Sequence, residues 1–511
     1  MADARVVVVG AGVAGLVSAL LLAQRGLNVS LVEASMQAGG KIHTRTVDGL
    51  AIDSGPTVMT MRWVFDEVLQ QCGTSLDAEL TLQPLSVLAR HFWPDGQRLD
   101  LLADPQASEA EMERFGGAQA ADQFRRFCSR SRELHDVLQE PFMCAQAPRL
   151  ASFTARLGAS GLGVLAQLGP MRSLWQQLQR EFAHPRLRQL FGRYATYCGS
   201  SPWQAPATLM LIAQVEMDGV WSVDGGMHAL ARCLLRLAQE RGVSCHFGRG
   251  CERIEVHNDR VQGVILSDGQ RLSADAVVFN GDPSALRQGL LGAQVRQAVP
   301  QPAPQRSLSA LTWSAVIPAS ACELDRHNVF FQDDYASEFE DIFEEGRLPQ
   351  DPTVYVCAQD RPWTPTASSD PSRRERVLCL VNAPALGDQE LDEEELRQCQ
   401  SASFSRMAHH GLQIEGHPMV RTDPRDFHHR FPASAGALYG QATHGWMSIF
   451  ARPGAKTPLP GLYLAGGGVH PGPGVPMAAL SGQRAAEAVW ASLGSTSQWP
   501  QEATYGGMST R

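Results

Sequence analysis

Gly10, Gly12 and Gly15 stand between a β-branched run, Arg5-Val6-Val7-Val8-Val9, and an apolar helical pattern that reaches Arg25. A second strand pattern then ends on Glu33. Residues of these types in this order can hold a dinucleotide. The turn after a buried parallel strand is tight enough to require Gly10. A bare Cα at Gly12 lets the backbone approach a pyrophosphate, and Gly15 lets the helix pack close on the strand. The first helical turn, around Ala14, presents unpaired N–H groups to the anion. A carboxylate at Glu33 can accept hydrogen bonds from a ribose diol and repels a 2′-phosphate, so the pattern predicts FAD or NAD and excludes NADP.

A second glycine strand decides between the two. Gly461-Leu462-Tyr463-Leu464-Ala465 reads as a short buried strand running into Gly466-Gly467-Gly468, and Met477 to Trp490 reads as a helix behind it. NAD enzymes usually carry their whole signature in the first unit. A long FAD molecule needs a distant helix N-terminus for its flavin end, and Gly474, Val475, Pro476 and Met477 are placed to supply it. Gly39-Gly40-Lys41 follows Glu33 as a loop over the pyrophosphate, with Lys41 as compensating charge. Gly55, Pro56 and Thr57, after the strand pattern Gly49 to Asp53, are read as cofactor-binding residues too. His470, between the glycine strand and the last helix, is the candidate catalytic side chain. An ordinary imidazole pKa would let it take a proton at neutral pH; the alternative is that it packs in a turn. Glu216 and Asp218 are weaker candidates, read as solvated acids. A further glycine-rich stretch, Gly161-Leu162-Gly163, follows no strand and precedes Gly169-Pro170, so it reads as a chance match in a loop.

The elements that must position these residues fit an α/β chain of 511 residues and two or three domains' worth of length. A formal net charge of −9 argues against a nucleic-acid partner. The eleven cysteines show no metal-ligand spacing and read as reduced thiols; no metal site is expected. His409-His410 and His428-His429 read as solvated surface. Val6 to Ala23 is uncharged, but its glycine spacing makes it a buried strand and helix rather than a membrane span or leader. The chain is therefore expected to be soluble or peripheral and to begin as written.

Residues 76–220 look largely helical. Strand and helix patterns return at Trp221, include a strand at Ala274 to Phe279 that ends in Asn280-Gly281-Asp282-Pro283, and give way after Ser307 to strands of an antiparallel sheet. The expected fold is a Rossmann-like domain, discontinuous in sequence, with an inserted α+β substrate domain. Its boundaries are 1–75, 221–290 and 455–490 for the FAD-binding part and 76–220 and 291–454 for the substrate part. The tail 491–511 is expected to be disordered.

Together these motifs resemble, in order, the bacterial carotenoid desaturases of the phytoene-desaturase type. Further matches are His327-Asn328-Val329-Phe330-Phe331, Asp351-Pro352-Thr353-Val354-Tyr355, Gly436-Ala437-Leu438-Tyr439-Gly440 and Arg452-Pro453. The segment Gly466 to Gly482 looks most like the branch that introduces a 3,4 double bond into acyclic 1-hydroxy or methoxy carotenoids. Alternatives within the family are phytoene or neurosporene desaturation and carotenoid isomerisation.

The resemblance implies FAD, with flavin N5 accepting hydride and a polyene-stabilised cation losing a proton. Asn280, Gly466 and Gly467 then belong to the cofactor site, and the backbone at Cys251 meets the adenine. Gly467-Gly468 stands where many FAD proteins have an acid, a gap the resembled family shares. Reduced flavin is expected to pass electrons to oxygen or a membrane quinone. The substrate is a long apolar carotenoid reached from the cytoplasm at the inner face of the membrane. Leu157 to Leu190, with Met171 and Trp175, is the candidate membrane-facing surface, or alternatively ordinary core helices. The rivals are a flavin amine oxidase, which would want an aromatic cage where Met477, Ala478 and Ala479 stand, and a flavoprotein that binds polyenes without oxidising them.

Overall fold

The computed structural model describes residues 4–147, 150–169, 171–300, 305–318, 322–361 and 374–494. Arg5–Val9 (β1) is the middle strand of a five-stranded parallel sheet. Asn28–Glu33 (β2) and then Ser244–Phe247 lie to one side, Ala276–Phe279 and then Leu462–Leu464 to the other. Val8 pairs with Leu31 on one flank and Val278 on the other. A strand buried on both faces needs apolar residues at every position, which is why β1 is continuous valine rather than alternating.

The helix Val13–Gln24 (α1) is buried along almost its whole length, which accounts for the long uncharged run. It packs against the helix Val475–Leu493, where a Cβ on Gly482 would come within 2.4 Å of the Ala14 carbonyl oxygen. Ser18 Oγ bonds across this contact to Gly482 O at 2.9 Å. Strands Cys251–His257, Arg260–Leu266 and Arg271–Ser273 form a small antiparallel sheet, and Ile254 and Val264 join Val7, Val9 and Val32 in one core on the opposite face.

The second layer is a seven-stranded sheet in the order Met419–Thr422, Ser309–Pro318, Arg374–Ala383, Val354–Ala358, His327–Phe330, Val87–Phe92, Arg98–Leu102. It is antiparallel except where His327–Phe330 runs parallel to Val87–Phe92. Two of its strands come from the stretch expected to be helical. Leu88, Ala89 and Phe92 are buried, and Gly96 (φ 83°) turns the hairpin, so a strand pairing overrode a Leu- and Arg-rich composition.

The Gly161 stretch is also different from expectation. It lies in the helix Leu150–Leu168, entered through the non-helical Gly158 (φ 63°), and Gly161 sits against Val137 and Leu157. Packing against the long helix Pro105–Leu138 holds it despite two glycines. The last helix starts at Val475, with Pro476 tolerated in its first turn, and runs to Leu493. Residues 491–493 of the expected tail are therefore helical, and 495–511 lie outside the described residues.

Candidate active site

The first glycine turn is built as tightly as its sequence requires. Gly10 (φ 101°) donates its N–H to Val32 O at 2.7 Å, and a Cβ on Gly15 would lie 2.0 Å from Gly10 O. Asn280 Nδ2 donates to the same Gly10 oxygen at 3.1 Å. A Cβ on Gly12 or Gly15 would approach that nitrogen to 2.8 Å, so Gly12 makes room for Asn280 as well as for a ligand. Gly39 N bonds to Ala11 O, and a Cβ on Gly40 would stand 3.0 Å from Gly12 Cα, which lays the Gly39-Gly40 loop over the turn. Glu33 accepts from Ala11 N at 2.7 Å and Ser35 N at 2.8 Å. Its carboxylate has about four lone-pair sites, so two remain for a diol.

Among the described residues three α-helices begin at a glycine, and their N-termini differ. At Gly226 the buried Asp53 carboxylate accepts from Met227 N at 2.5 Å and closes that end. Burial raises the Asp53 pKa against the pull of these N–H groups. The helices that follow Gly12 and Gly474 have neither a side-chain cap nor an acid in the first turn. These open ends are the two the sequence assigned to a nucleotide, and open N–H groups favour anionic or electron-rich atoms. They are neighbours: their strands are separated by one intervening strand, about 10 Å at usual spacing. Asn280 also stands 3.0 Å from where a Gly466 Cβ would be, so one side chain braces both turns. This arrangement fits a dinucleotide with its pyrophosphate at the first helix end and its flavin end at the second.

The remaining expected residues are placed as follows. Arg249 N bonds to Glu33 O and Gly250 packs on Ala34, which brings Cys251 beside the Glu33 end. Its thiol donates to Arg253 O and burial pushes its pKa up to about 12, leaving the backbone as the useful part. Gly55 is required because a Cβ would sit 1.9 Å from Lys41 O. Pro56 stands between it and Thr57, whose Oγ1 bonds to Tyr355 OH at 2.7 Å. Met477 is half-buried in the first turn of the last helix.

Two cations, the half-buried Lys41 and the buried Arg452, lie behind the glycines. Lys41 Nζ donates to Leu438 O, and burial lowers its pKa while Asp282 opposes that shift. Arg452 donates to Gly467 O at 3.1 Å, Tyr439 O at 3.0 Å and Gln441 O at 2.9 Å, and burial pushes it down to about 10. Asp282 is the carboxylate acting on both, so the pair carries excess positive charge that an anionic group would offset. Arg452→Met is expected to weaken FAD retention roughly 10- to 100-fold, the worth of a charge-assisted hydrogen bond, measured by flavin release on dilution. Unchanged retention in a folded variant would refute the role.

His470 departs from its expected chemistry. Nε2 donates to Phe142 O at 3.0 Å and the ring meets Phe142 edge-on at 5.1 Å, while Nδ1 is buried without a hydrogen-bond partner among the described residues. Burial pushes its pKa to about 4, so it is neutral at pH 7 and a weak base. Glu216 is likewise not a solvated acid. It is buried, its pKa is raised by burial, and it accepts from Tyr194 OH at 2.7 Å. Asp218 accepts from Gln214 at 2.6 Å. Among the described residues no cluster suits a metal ion, and all eleven cysteines are free.

No described helix is long and apolar enough to cross a membrane. Leu162 and Met171 are 44% and 83% exposed, and Leu150 and Met447 are exposed beside them in sequence segments joined by the Phe153–Phe450 contact. Trp175 instead stacks on Trp203 at 4.5 Å and is half-buried against the core.

Sequence reasoning missed Arg452 and Asp282 as site residues, although both lie inside segments that carried the resemblance, which was the available signal.

The parallel sheet, the two open helix ends and the walling second sheet define an FAD-dependent oxidoreductase class. The chain belongs to the family described as flavin containing amine oxidoreductases, whose model matches residues 13–490, and within it to the carotenoid desaturases. It is 54% identical to a hydroxyneurosporene desaturase of Rubrivivax gelatinosus over 99% of this chain and 97% of the relative. It is 45% identical to the hydroxyneurosporene desaturase of Cereibacter sphaeroides, over 97% and 99%. Among solved structures, an oxidoreductase from Methanosarcina mazei matches with a TM-score of 0.58 at 16% identity, over 94% of this chain and all of that one, which supports the fold.

Proposed function

We propose that this protein is an FAD-dependent desaturase that introduces a C-3,4 double bond into an acyclic 1-hydroxy carotenoid. The observation that carries the substrate is the 54% identity, end to end, with a relative named hydroxyneurosporene desaturase. Bound FAD supplies the two-electron acceptor for the C–H bond being broken. The chain's own part is to hold the cofactor between the Gly12 and Gly474 helix ends, exclude water and fix the substrate carbons at the flavin. A cation beside a polyene is delocalised and its neighbouring proton is acidic, so a weak base suffices. Nδ1 of His470, which has no hydrogen-bond partner among the described residues, is the proposed acceptor, and its low basicity suits that proton.

The substrate is dissolved in lipid. The exposed Leu150, Leu162, Met171 and Met447 are proposed to rest on the inner face of a membrane, with oxygen or a quinone as final acceptor. The test is to incubate FAD-loaded protein with liposomes carrying phytoene, neurosporene or 1-hydroxyneurosporene and record absorption spectra. A red shift confined to the hydroxylated carotenoid is expected. No shift with any of them, under air or with added quinone, would refute the reading.

A further inference from the structure

We infer that Arg193 and His327 form a receptor for the hydroxyl oxygen of the substrate, placed close to the bond that reacts. The inference rests on the reading above for the substrate's chemistry, and on two unsatisfied buried polar atoms for its location.

Arg193, in the 3₁₀ turn Arg193–Cys198, is 8% exposed and its Nε has no partner among the described residues. Its guanidinium lies over the Tyr197 ring at 5.1 Å, with the buried Glu216 near enough to raise its pKa. His327 is 3% exposed and its Nε2 has no partner among the described residues. Tyr197, beneath the Arg193 guanidinium, and Tyr355, bonded to His327, pack against one apolar cluster with Phe331 and Tyr335, and the pKa of His327 is lowered by burial first, then by the charges of Arg326 and Arg193. The surroundings are aromatic: Tyr335, on which Arg193 also acts, meets Phe331 edge-on at 5.8 Å and Trp203 at 5.9 Å. Buried donors and acceptors left unpaired in an apolar wall are costly, and their persistence calls for a ligand atom that completes them.

A tertiary alcohol does so. Its oxygen accepts the Nε–H of Arg193, and its O–H is complementary to His327 Nε2. The other side of the imidazole is fixed: Nδ1 bonds to Tyr355 OH at 2.6 Å, and Tyr355 OH bonds to Thr57 Oγ1 at 2.7 Å. When Tyr355 donates to Thr57 it accepts from Nδ1–H, which leaves Nε2 holding a lone pair for the substrate proton. The location also matches the reaction. The carbon bearing the hydroxyl is two bonds from C-3, so whatever reads it must stand beside the flavin, and the Thr57–Tyr355–His327 relay starts on the Gly55-Pro56-Thr57 loop assigned to the cofactor. A methyl ether can accept from Arg193 but cannot donate to His327, so the two side chains divide hydroxy from methoxy substrates.

The experiment compares FAD-loaded wild type, His327→Phe, Tyr355→Phe and Arg193→Met with 1-hydroxyneurosporene and with its deoxy analogue, in liposomes. It reads kcat/KM, and it reads binding separately by flavin fluorescence quenching without turnover. In wild type the hydroxylated polyene is expected to bind and react better than the deoxy chain. His327→Phe is expected to lower that preference roughly 10- to 100-fold, the worth of one unsatisfied buried partner, with values for the deoxy analogue little changed. Tyr355→Phe, which frees the imidazole without removing it, is expected to lower it less. It keeps the test valid if Arg193→Met, which strands Glu216, does not fold. Equal losses for both polyenes in each variant, or no preference in wild type, would overturn the receptor. If wild type turns over neither polyene yet binds the hydroxylated one preferentially through His327, the desaturase reading fails and the receptor stands.

Discussion

Gly15→Ala is expected to purify as a colourless protein that takes up FAD at least about a hundredfold more weakly than wild type. The added Cβ would stand 2.0 Å from the Gly10 carbonyl oxygen and 2.8 Å from Asn280 Nδ2. The first of these is backbone, so no rotamer change relieves it. The α1 N-terminus must move away from the end of β1, and the open N–H groups after Gly12 lose their aim at the pyrophosphate. Overpacking alone costs about 1–3 kcal/mol, and the misdirected helix end adds to it. Gly163→Ala is the control, because that glycine lies in the helix Leu150–Leu168 with nothing within 4 Å of the new atom. There the substitution is expected to stabilise by roughly 0.5–1 kcal/mol through helix propensity. Visible flavin absorbance per mole of protein, and thermal unfolding, check the pair. A yellow Gly15→Ala with wild-type affinity would refute the role given to the turn.

The contrast between these glycines marks what was legible in the sequence. Around Gly10, Gly12 and Gly15 the local pattern and the tertiary environment agree, because a buried parallel strand and a helix packed on it leave no freedom in residue type. The strands Ser309–Pro318 and Arg374–Ala383 announce themselves the same way, through apolar residues a sheet can use. The hairpin Val87–Phe92 and Arg98–Leu102 did not, since its pairing with His327–Phe330 joins residues more than two hundred positions apart and its composition suits a helix equally well. The helix through Gly161 failed to show for the opposite reason: its stability comes from packing on another helix.

The site divides along the same line. Residues that act through backbone, such as Gly474 and Gly466, were readable because only glycine fits. Arg452, Arg193 and Tyr355 act through partners supplied by other elements, and no spacing rule connects them. The low basicity of His470 was not readable either, because it depends on burial against Phe142.

That same burial makes stability strongly pH-dependent. His43 and His470 are pushed down to about 4 and His91 to about 3, in each case chiefly by burial, and His327 is lowered as well. An imidazole whose folded pKa lies below its unfolded value of 6.5 binds its proton first in the unfolded chain. Its contribution is therefore whole above pH 6.5, declines by about 1.4 kcal/mol per pH unit below that, and levels off once the folded pKa is passed. At pH 5 each such histidine has lost about 2 kcal/mol, and three together approach the entire net stability of a typical domain, about 5–15 kcal/mol. The buried carboxyls of Asp53, Glu216 and Glu338, whose pKa values are raised, act with the opposite sign as pH falls.

His91→Phe separates the two contributions. His91 is fully buried, stacks on Phe331 at 6.0 Å and bonds through Nδ1 to Leu99 O at 3.1 Å, so phenylalanine keeps the packing and removes the titration. Urea unfolding from pH 7 to pH 4 is expected to show the variant losing stability less steeply than wild type, the difference in slope growing to about one proton's worth below about pH 6. Parallel curves for the two proteins would mean that His91 titrates in the native state as it does in the unfolded chain, and would refute the effect assigned to its burial between Trp93 and Phe331.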